Sequence, residues 1–554
     1  MSSSQESLAA GYAALEQADA TAARHAFERA IEDGGRAEAY EGLGWAAQAL
    51  DDGDLAISAR QAAFRHYRQQ GDDVSAARMA MWLGKDHEDY RGENAIARGW
   101  RQRARRLLED QQIGPEHGWL PILECWAGIY EGDDPHRVQV CAQEALAVAR
   151  ECGDTDIAVL AIAIEGLALV EQGSISEGML LLDEAAAAAF GGELRQEMWG
   201  LAVFCFLIFA CERARDFGRA AEWCEMMREA ADRLGHVGSQ AICRAHYGAV
   251  LTVRGAWEEA ESILAEAVAS FEASWRPRSV EASIRLAGLW RRQGRTAEAA
   301  SLLREAGSHP LAILELAGMA FDDGSLQDAR ELAERYLRHI PPGNRLQRAP
   351  GLELLIRIAA RSGDFDDAVE SLTELEAIAE TVGTFHLRGS VSLSRGVIAA
   401  AISDTGKAQV ALEDAVDLFE QCGAPYEAAL ARVELADLLL SLGRQSRAQG
   451  ELDRARETLD ALGADAREWR GAAVLQRADT ASNAHPDATG SPILTGRQAD
   501  ILRLVSLGMN DREIAERLVI SEHTVHRHIA NILARCEVHT RAAAVAYAAS
   551  RGWI

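Results

Sequence analysis

One pattern limits what this chain can become. A glycine is followed five residues later by an alanine, and the alanine opens an apolar stripe that continues at +4 and +7. It occurs as "GAWEEA" from Gly255, "GRTAEA" from Gly294, "GSLQDA" from Gly324, "GDFDDA" from Gly363, "GKAQVA" from Gly406 and "GRQSRA" from Gly443. Ala260 leads to Leu264 and Ala267, Ala299 to Leu303 and Ala306, and Ala368 to Leu372 and Leu375. That spacing is one face of a helix. The glycine supplies the left-handed cap that stops the preceding helix. A chain built from such units is an array of helical hairpins, each burying its face on the next.

The steps between these glycines are 39, 30, 39, 43 and 37 residues, loosely bracketing a repeat of about 34 residues. At the start of the chain, Gly11, Ala23, Phe27 and Ala30 stand at tetratricopeptide (TPR) offsets, and Gly44, Ala56 and Ala63 repeat three of them 33 residues on. The first 477 residues resemble degenerate TPR repeats, which implies an α-solenoid. Composition agrees: of 554 residues only 11 are Pro, and aromatic residues make up 6%, against a large β structure.

The stretch from about 115 to 250 is the least regular, and it gathers Trp119, Trp126, Trp199, Phe204, Phe206 and Phe209. A thicker core between two superhelical halves is the favoured reading; an apolar ligand pocket is the alternative. Its longest uncharged apolar run, Met198 to Cys211, is shorter than the ~20 residues needed to span a bilayer and reads as a buried helix. "MSSSQESLAA" lacks the features of a signal peptide. The nine cysteines are scattered and form no CxxC, so reduced thiols in a cytoplasmic protein are expected. The basic residues are nearly all Arg, with Lys only at Lys85 and Lys407.

Composition breaks at "ADTASNAHPDATGSP", Ala478 to Pro492, which reads as a flexible linker. Expected units are therefore a solenoid over 1–477, a linker over 478–492 and a C-terminal domain over 493–554. In that domain Thr495 and Gln498 form one capping box, and Asn510 and Glu513 a second. Ser521 caps a third helix, and a fourth starts at Thr540. Helices two and three make a helix-turn-helix. Ala515 is the small contact, and Val525, Ile529 and Ile532 face the core. The opposite stripe carries His523, His526, Arg527, Ala530 and Ala534, able to reach base edges. Thr524, Asn531 and Arg535 flank it for phosphate.

"LTGRQADILRLVSLGMNDREIAERLVISEHTVHRHIANILARCEVHTRAAAV" resembles the LuxR/FixJ-type (GerE-like) DNA-binding domain, over about the last sixty residues. The resemblance implies that Thr524 contacts phosphate and that His526, Arg527 and Ala530 occupy base-facing positions. Arg541 matches the family's Arg after the recognition helix, and the last helix, 540–551, matches the one used for dimerisation. His526 stands where the family commonly has Lys, and Ala530 replaces a longer polar side chain in some members. Arg527 is thus left with most of the readout, and an imidazole at 526 makes affinity pH-sensitive.

From Ser491 onward there are 8 Arg and 6 acids, net +2, so with -28 overall the remainder carries -30. Such a domain binds DNA weakly alone, and the acidic solenoid repels phosphate. An inhibitory dock between the two halves is conceivable, but no specific surface for it stands out. No phospho-receiver pattern is visible, and "SDTGKA", Ser403 to Ala408, is a helix cap rather than a phosphate loop. The arrangement resembles that of MalT-type regulators without the NTPase. The leading expectation is an all-α, cytoplasmic, nucleoid-associated transcription regulator. It binds double-stranded DNA as a homodimer, senses a protein, peptide or small molecule, and works with RNA polymerase. It needs no cofactor, metal, membrane or catalysis. The competing reading is a TPR-type scaffold with a vestigial DNA domain. An enzyme is weakest: His87, His236 and His309 share no metal spacing, and no nucleophile motif stands out.

Overall fold

The computed structural model describes residues 3–196, 198–234, 237–273, 275, 279–464, 474, 494, 496–518, 520, 522–536, 538–551 and 553. Among these residues every regular element is a helix. The expected linker, 478–492, lies outside them, as do Thr495, Ser521 and His236.

Twenty-four helices pair into twelve hairpins from Ser3–Glu16 to Gln445–Leu462, a TPR-like solenoid. Each hairpin turns on one residue of positive φ between its two helices. These are Ala18, Asp51, Gly92, Gly132, Gly173, Arg215, Gly255, Gly294, Gly324, Gly363, Ser403 and Gly443. In ten hairpins the residue five later is a fully buried alanine: Ala23, Ala56, Ala97, Ala220, Ala260, Ala299, Ala329, Ala368, Ala408 and Ala448. A single methyl lets the two helix backbones approach. At the fifth hairpin even that is too much. A Cβ on Gly178 would stand 2.5 Å from the Gly166 carbonyl oxygen. An aspartate directly after the turn commonly caps the second helix. Asp19 accepts from the Ala22 amide at 2.9 Å, Asp52 from Leu55 at 3.0 Å and Asp404 from Lys407 at 3.2 Å. This satisfies an amide that a helix start would otherwise leave open.

This frame corrects the sequence reading at one repeat. Gly406 is not a C-cap; it lies inside the helix Thr405–Gln421. The left-handed residue is Ser403, at φ 64, and counting five from it reaches the buried Ala408, then Leu412 and Ala415. The true period is near 40 residues, with two shorter steps, Ala18 to Asp51 and Gly294 to Gly324. It exceeds the ~34 of a TPR because many helices run 17 or 18 residues, as in Pro425–Ser441 and Gln445–Leu462.

The irregular middle packs into a thick core. Trp199, Phe204, Phe206 and Phe209 are buried on the helix Met198–Arg213, within one apolar cluster running from Ala37 to Ile398. Later hairpins fold back onto this core. Thr384 Oγ1 donates to the Ala214 carbonyl at 2.9 Å, and Arg292 pairs with Glu427 at 2.9 Å. No described helix is long and apolar enough to cross a membrane. The expectation of reduced thiols fails at one place. Cys205 and Cys243 are joined as a disulfide, because facing positions on two neighbouring inner helices bring their Cα atoms to 5.9 Å. The other seven cysteines are free.

Candidate nucleic-acid interface

Among the described residues beyond 494, four short helices stand: Gly496–Ser506, Asp511–Leu518, Glu522–Arg535 and Arg541–Ser550. They enclose a separate core of Leu494, Ile501, Leu502, Ile514, Ala515, Val525, Ile529, Ile532, Cys536, Ala544 and Ala548. The second helix starts on a full capping box. The Asn510 amide donates to Glu513 Oε2 at 2.8 Å, and the Glu513 amide donates to Asn510 Oδ1 at 3.0 Å. Gly508, at φ 85, ends the first helix, and Thr540 caps the last by accepting from the Ala543 amide at 3.1 Å. Packing of Ala515 against the Val525 side of the third helix fixes the helix-turn-helix.

With Val525, Ile529 and Ile532 buried, the opposite side of the third helix faces solvent. His526 is 72% exposed there, and Ala530 and Asn531 are exposed beside it. Thr524, Arg527 and Arg535 lie on the same helix, but their side chains fall outside the described residues, as do those of His523 and Ala534. Arg541 is engaged within the domain. Its guanidinium donates twice to Asp511, at 2.6 Å and 2.8 Å, a fork-to-fork geometry that fixes both groups. Asp511 Oδ2 also stands 3.7 Å from His526 Nδ1. Asp511 was not singled out from sequence. Its signal was an acid in the first turn of a helix, where the dipole favours it.

A second group went unseen in the sequence. One face of the solenoid helix Thr405–Gln421 turns Glu413, Asp414 and Asp417 toward the C-terminal domain. Glu413 Oε2 accepts the Arg497 amide at 3.1 Å, at the start of the first helix. Asp414 Oδ1 lies 3.2 Å from Arg497 Nε, and Asp417 Oδ2 lies 2.6 Å from His528 Nε2. Arg497 and His528 are each 6% exposed. Arg497 also reaches inward, donating to the Leu518 carbonyl at 3.0 Å. Burial pushes the Asp414 carboxyl up to about 6, against the pull of Arg497. His528 sits on the side of the recognition helix away from His526, so the exposed stripe stays open while an acidic helix stands beside it.

The described residues hold no group of three or more His, Cys, Asp or Glu able to bind a metal ion. Residues 492–548 match the bacterial regulatory proteins of the luxR family (GerE). The same region is 42% identical over 62 residues to the transcriptional regulatory protein DegU of Brevibacillus brevis, covering 11% of this chain and 26% of that one. It is also similar to the HTH-type transcriptional regulator AlkS of Alcanivorax borkumensis, 36% identical over 99 residues, 18% of this chain and 11% of the relative. The chain thus spans about a quarter or less of each of these two curated relatives. Among solved structures, the chain is similar to a Rap protein complexed with competence and sporulation factor, at 12% identity and TM-score 0.39, over 73% of this chain and 98% of that one. It is also similar to the apo form of the quorum sensor NprR from B. thuringiensis, at 14% identity and TM-score 0.38, over 62% and 97%.

Proposed function

From a chain that carries a LuxR-type helix-turn-helix domain behind a TPR-like solenoid, we propose a DNA-binding transcription regulator with its sensor in the solenoid. The observation that carries this reading is the solvent-facing polar stripe of Glu522–Arg535, held outward by a buried Val525, Ile529 and Ile532. In this reading the units are the solenoid (1–477), a linker (478–492) and the DNA domain (493–554). His526, Arg527 and Ala530 face bases, and Thr524, Asn531 and Arg535 hold phosphates. Arg541, paired with Asp511 across the second and last helices, is a further DNA-contacting residue. Two copies pair through 540–551 on a two-half-site operator, and RNA polymerase is the downstream partner. The solenoid takes a protein, peptide or small-molecule effector.

The acidic face of Thr405–Gln421 supports a restraint on this activity. Three carboxylates beside the recognition helix repel approaching phosphates and tether the domain to a body of charge -30. Effector binding that loosens Glu413, Asp414 and Asp417 from Arg497 and His528 then raises DNA affinity.

Titration of the full-length chain on cognate and random DNA at several salt concentrations tests the assignment. Arg527→Ala should cost about 1–3 kcal/mol on cognate DNA and blur one base position. Arg535→Ala should weaken all sequences alike and lower the salt slope. Equal losses on cognate and random DNA from both variants would remove Arg527 from base readout. Absence of any salt-dependent binding would favour the scaffold reading.

A further inference from the structure

The solenoid holds a cavity of about 60 Å³. Every residue lining it except Trp275 lies on the first helix of a hairpin: Ala37–Ala49, Asp73–Arg91, Pro115–Glu131, Met198–Arg213 or Val237–Arg254. It therefore opens on the inner side of the array and joins hairpins far apart in sequence. Its walls are aromatic. Trp199 stacks on Trp82 at 5.9 Å between ring centroids, and Trp126 meets Phe206 edge-on at 5.2 Å.

Polar side chains also line this space. Trp199 Nε1, Trp275 Nε1, Tyr90 Oη and Asp86 Oδ2 are buried and have no hydrogen-bond partner among the described residues. Trp199 is 5% exposed and Asp86 3%. A buried donor or acceptor left open costs about 1–3 kcal/mol, and native proteins leave few such groups. Four around one cavity mark a place where a molecule completes the set.

Charge and size narrow the molecule. Arg60 is paired with Asp86, and Lys85 with Asp89, so the site is already neutral. The ring faces that would attract a cation are taken. Lys85 Nζ lies 5.2 Å from the Trp126 centroid and 5.7 Å from that of Trp275, and the Arg60 guanidinium lies 4.8 Å from Trp45 and 5.6 Å from Trp82. An anion would face the Asp86 oxygen. A cavity of about 150 Å³ is what benzene occupies, and one water needs about 10–15 Å³, so about 60 Å³ takes a molecule of about four heavy atoms and neither a ring nor a peptide.

We infer that this cavity binds an uncharged organic molecule of about four heavy atoms, with a carbonyl or hydroxyl oxygen that accepts from the Trp199 and Trp275 indole N–H groups and an O–H or N–H that donates to Asp86. The inference deepens the sensor reading by naming a site and a ligand class, and it rests on that reading only for its link to DNA.

Ligand-observed NMR titration of the full-length chain without DNA tests it, with acetamide and N-methylformamide as probes. Acetate, methylamine and a pentapeptide serve as comparisons. Saturable binding of the two neutral probes is expected, with weak or no binding of the others. Trp199→Phe and Trp275→Phe keep a ring but remove the donor, and each should weaken binding about tenfold. Trp290→Phe should leave it unchanged, because that indole donates to Glu261 at 2.9 Å outside the cavity. No saturable binding of either neutral probe, or equal binding in the Trp199→Phe and Trp290→Phe chains, would overturn the assignment. A separate DNA titration with the bound probe distinguishes the two readings. Binding that leaves DNA affinity unchanged keeps the site and removes its sensory role.

Discussion

The solenoid and the C-terminal domain treat polar side chains differently. In the solenoid, several arginines are consumed inside. Arg60 meets Asp86, Arg101 meets Glu88 at 2.8 Å, and Arg285 meets Glu212, and these arginines are at most 10% exposed. In the C-terminal domain, the recognition helix keeps His526, Ala530 and Asn531 in solvent. A buried charge with a partner is part of a fold, whereas a polar stripe held outward by a buried opposite face is available to something else. Arg497 and His528 belong to neither class. They are buried, yet their carboxylate partners lie on the other half of the molecule.

The sharpest way to break this comparison is at a solenoid pair. Arg60→Ala leaves Asp86 buried without its cation, and should cost about 3–5 kcal/mol in denaturant unfolding of the solenoid. A loss below 1 kcal/mol would mean that the pair contributes as little as a surface one. Ile529→Ala should cost about 2–4 kcal/mol and lower the unfolding transition of the C-terminal domain while the main solenoid transition stays in place. A single shared shift would show that the two cores unfold together.

The interface between the halves should respond to pH. Burial holds the docked Asp414 carboxyl at about 6, above the ordinary 3.8. Docking that supplies this burial strengthens as pH falls from 6 toward 3.8, and above pH 6, where the carboxyl is ionised in both states, this group adds no further change. Facing Asp414 are Arg497 and His528 from the C-terminal domain, with Glu413 and Asp417 on its own helix. DNA affinity of the full-length chain, divided by that of its Asp414→Asn variant, should fall about tenfold from pH 7 to pH 5. A flat ratio would remove Asp414 from the interface. The smallest expected effect is at a cap: Asn510→Ala should cost about 1 kcal/mol of C-terminal domain stability, read by thermal unfolding.

The parts of this architecture legible in sequence were those with local causes. The Asn510–Glu513 box needs three residues and shows both of its hydrogen bonds. The hairpin turns were legible where glycine marks the left-handed residue. They were hidden where Ala18, Asp51, Arg215 and Ser403 adopt it, because a side chain at positive φ leaves no compositional trace. The near miss at Gly406 shows the cost, since one glycine three residues late shifted a whole repeat. The cavity joins Gln48 to Trp275, and the dock joins Asp417 to His528. Neither separation carries a spacing rule. The side-chain roles of Thr524, Arg527 and Arg535 rest on the helix they share and on the luxR-family match.

The most direct test is selection of DNA from a random pool by the full-length chain and by its Glu413→Gln, Asp417→Asn double variant. A restrained DNA-binding regulator predicts one motif of two half-sites from both, enriched more strongly by the double variant. Enrichment of no motif by either chain would contradict the account.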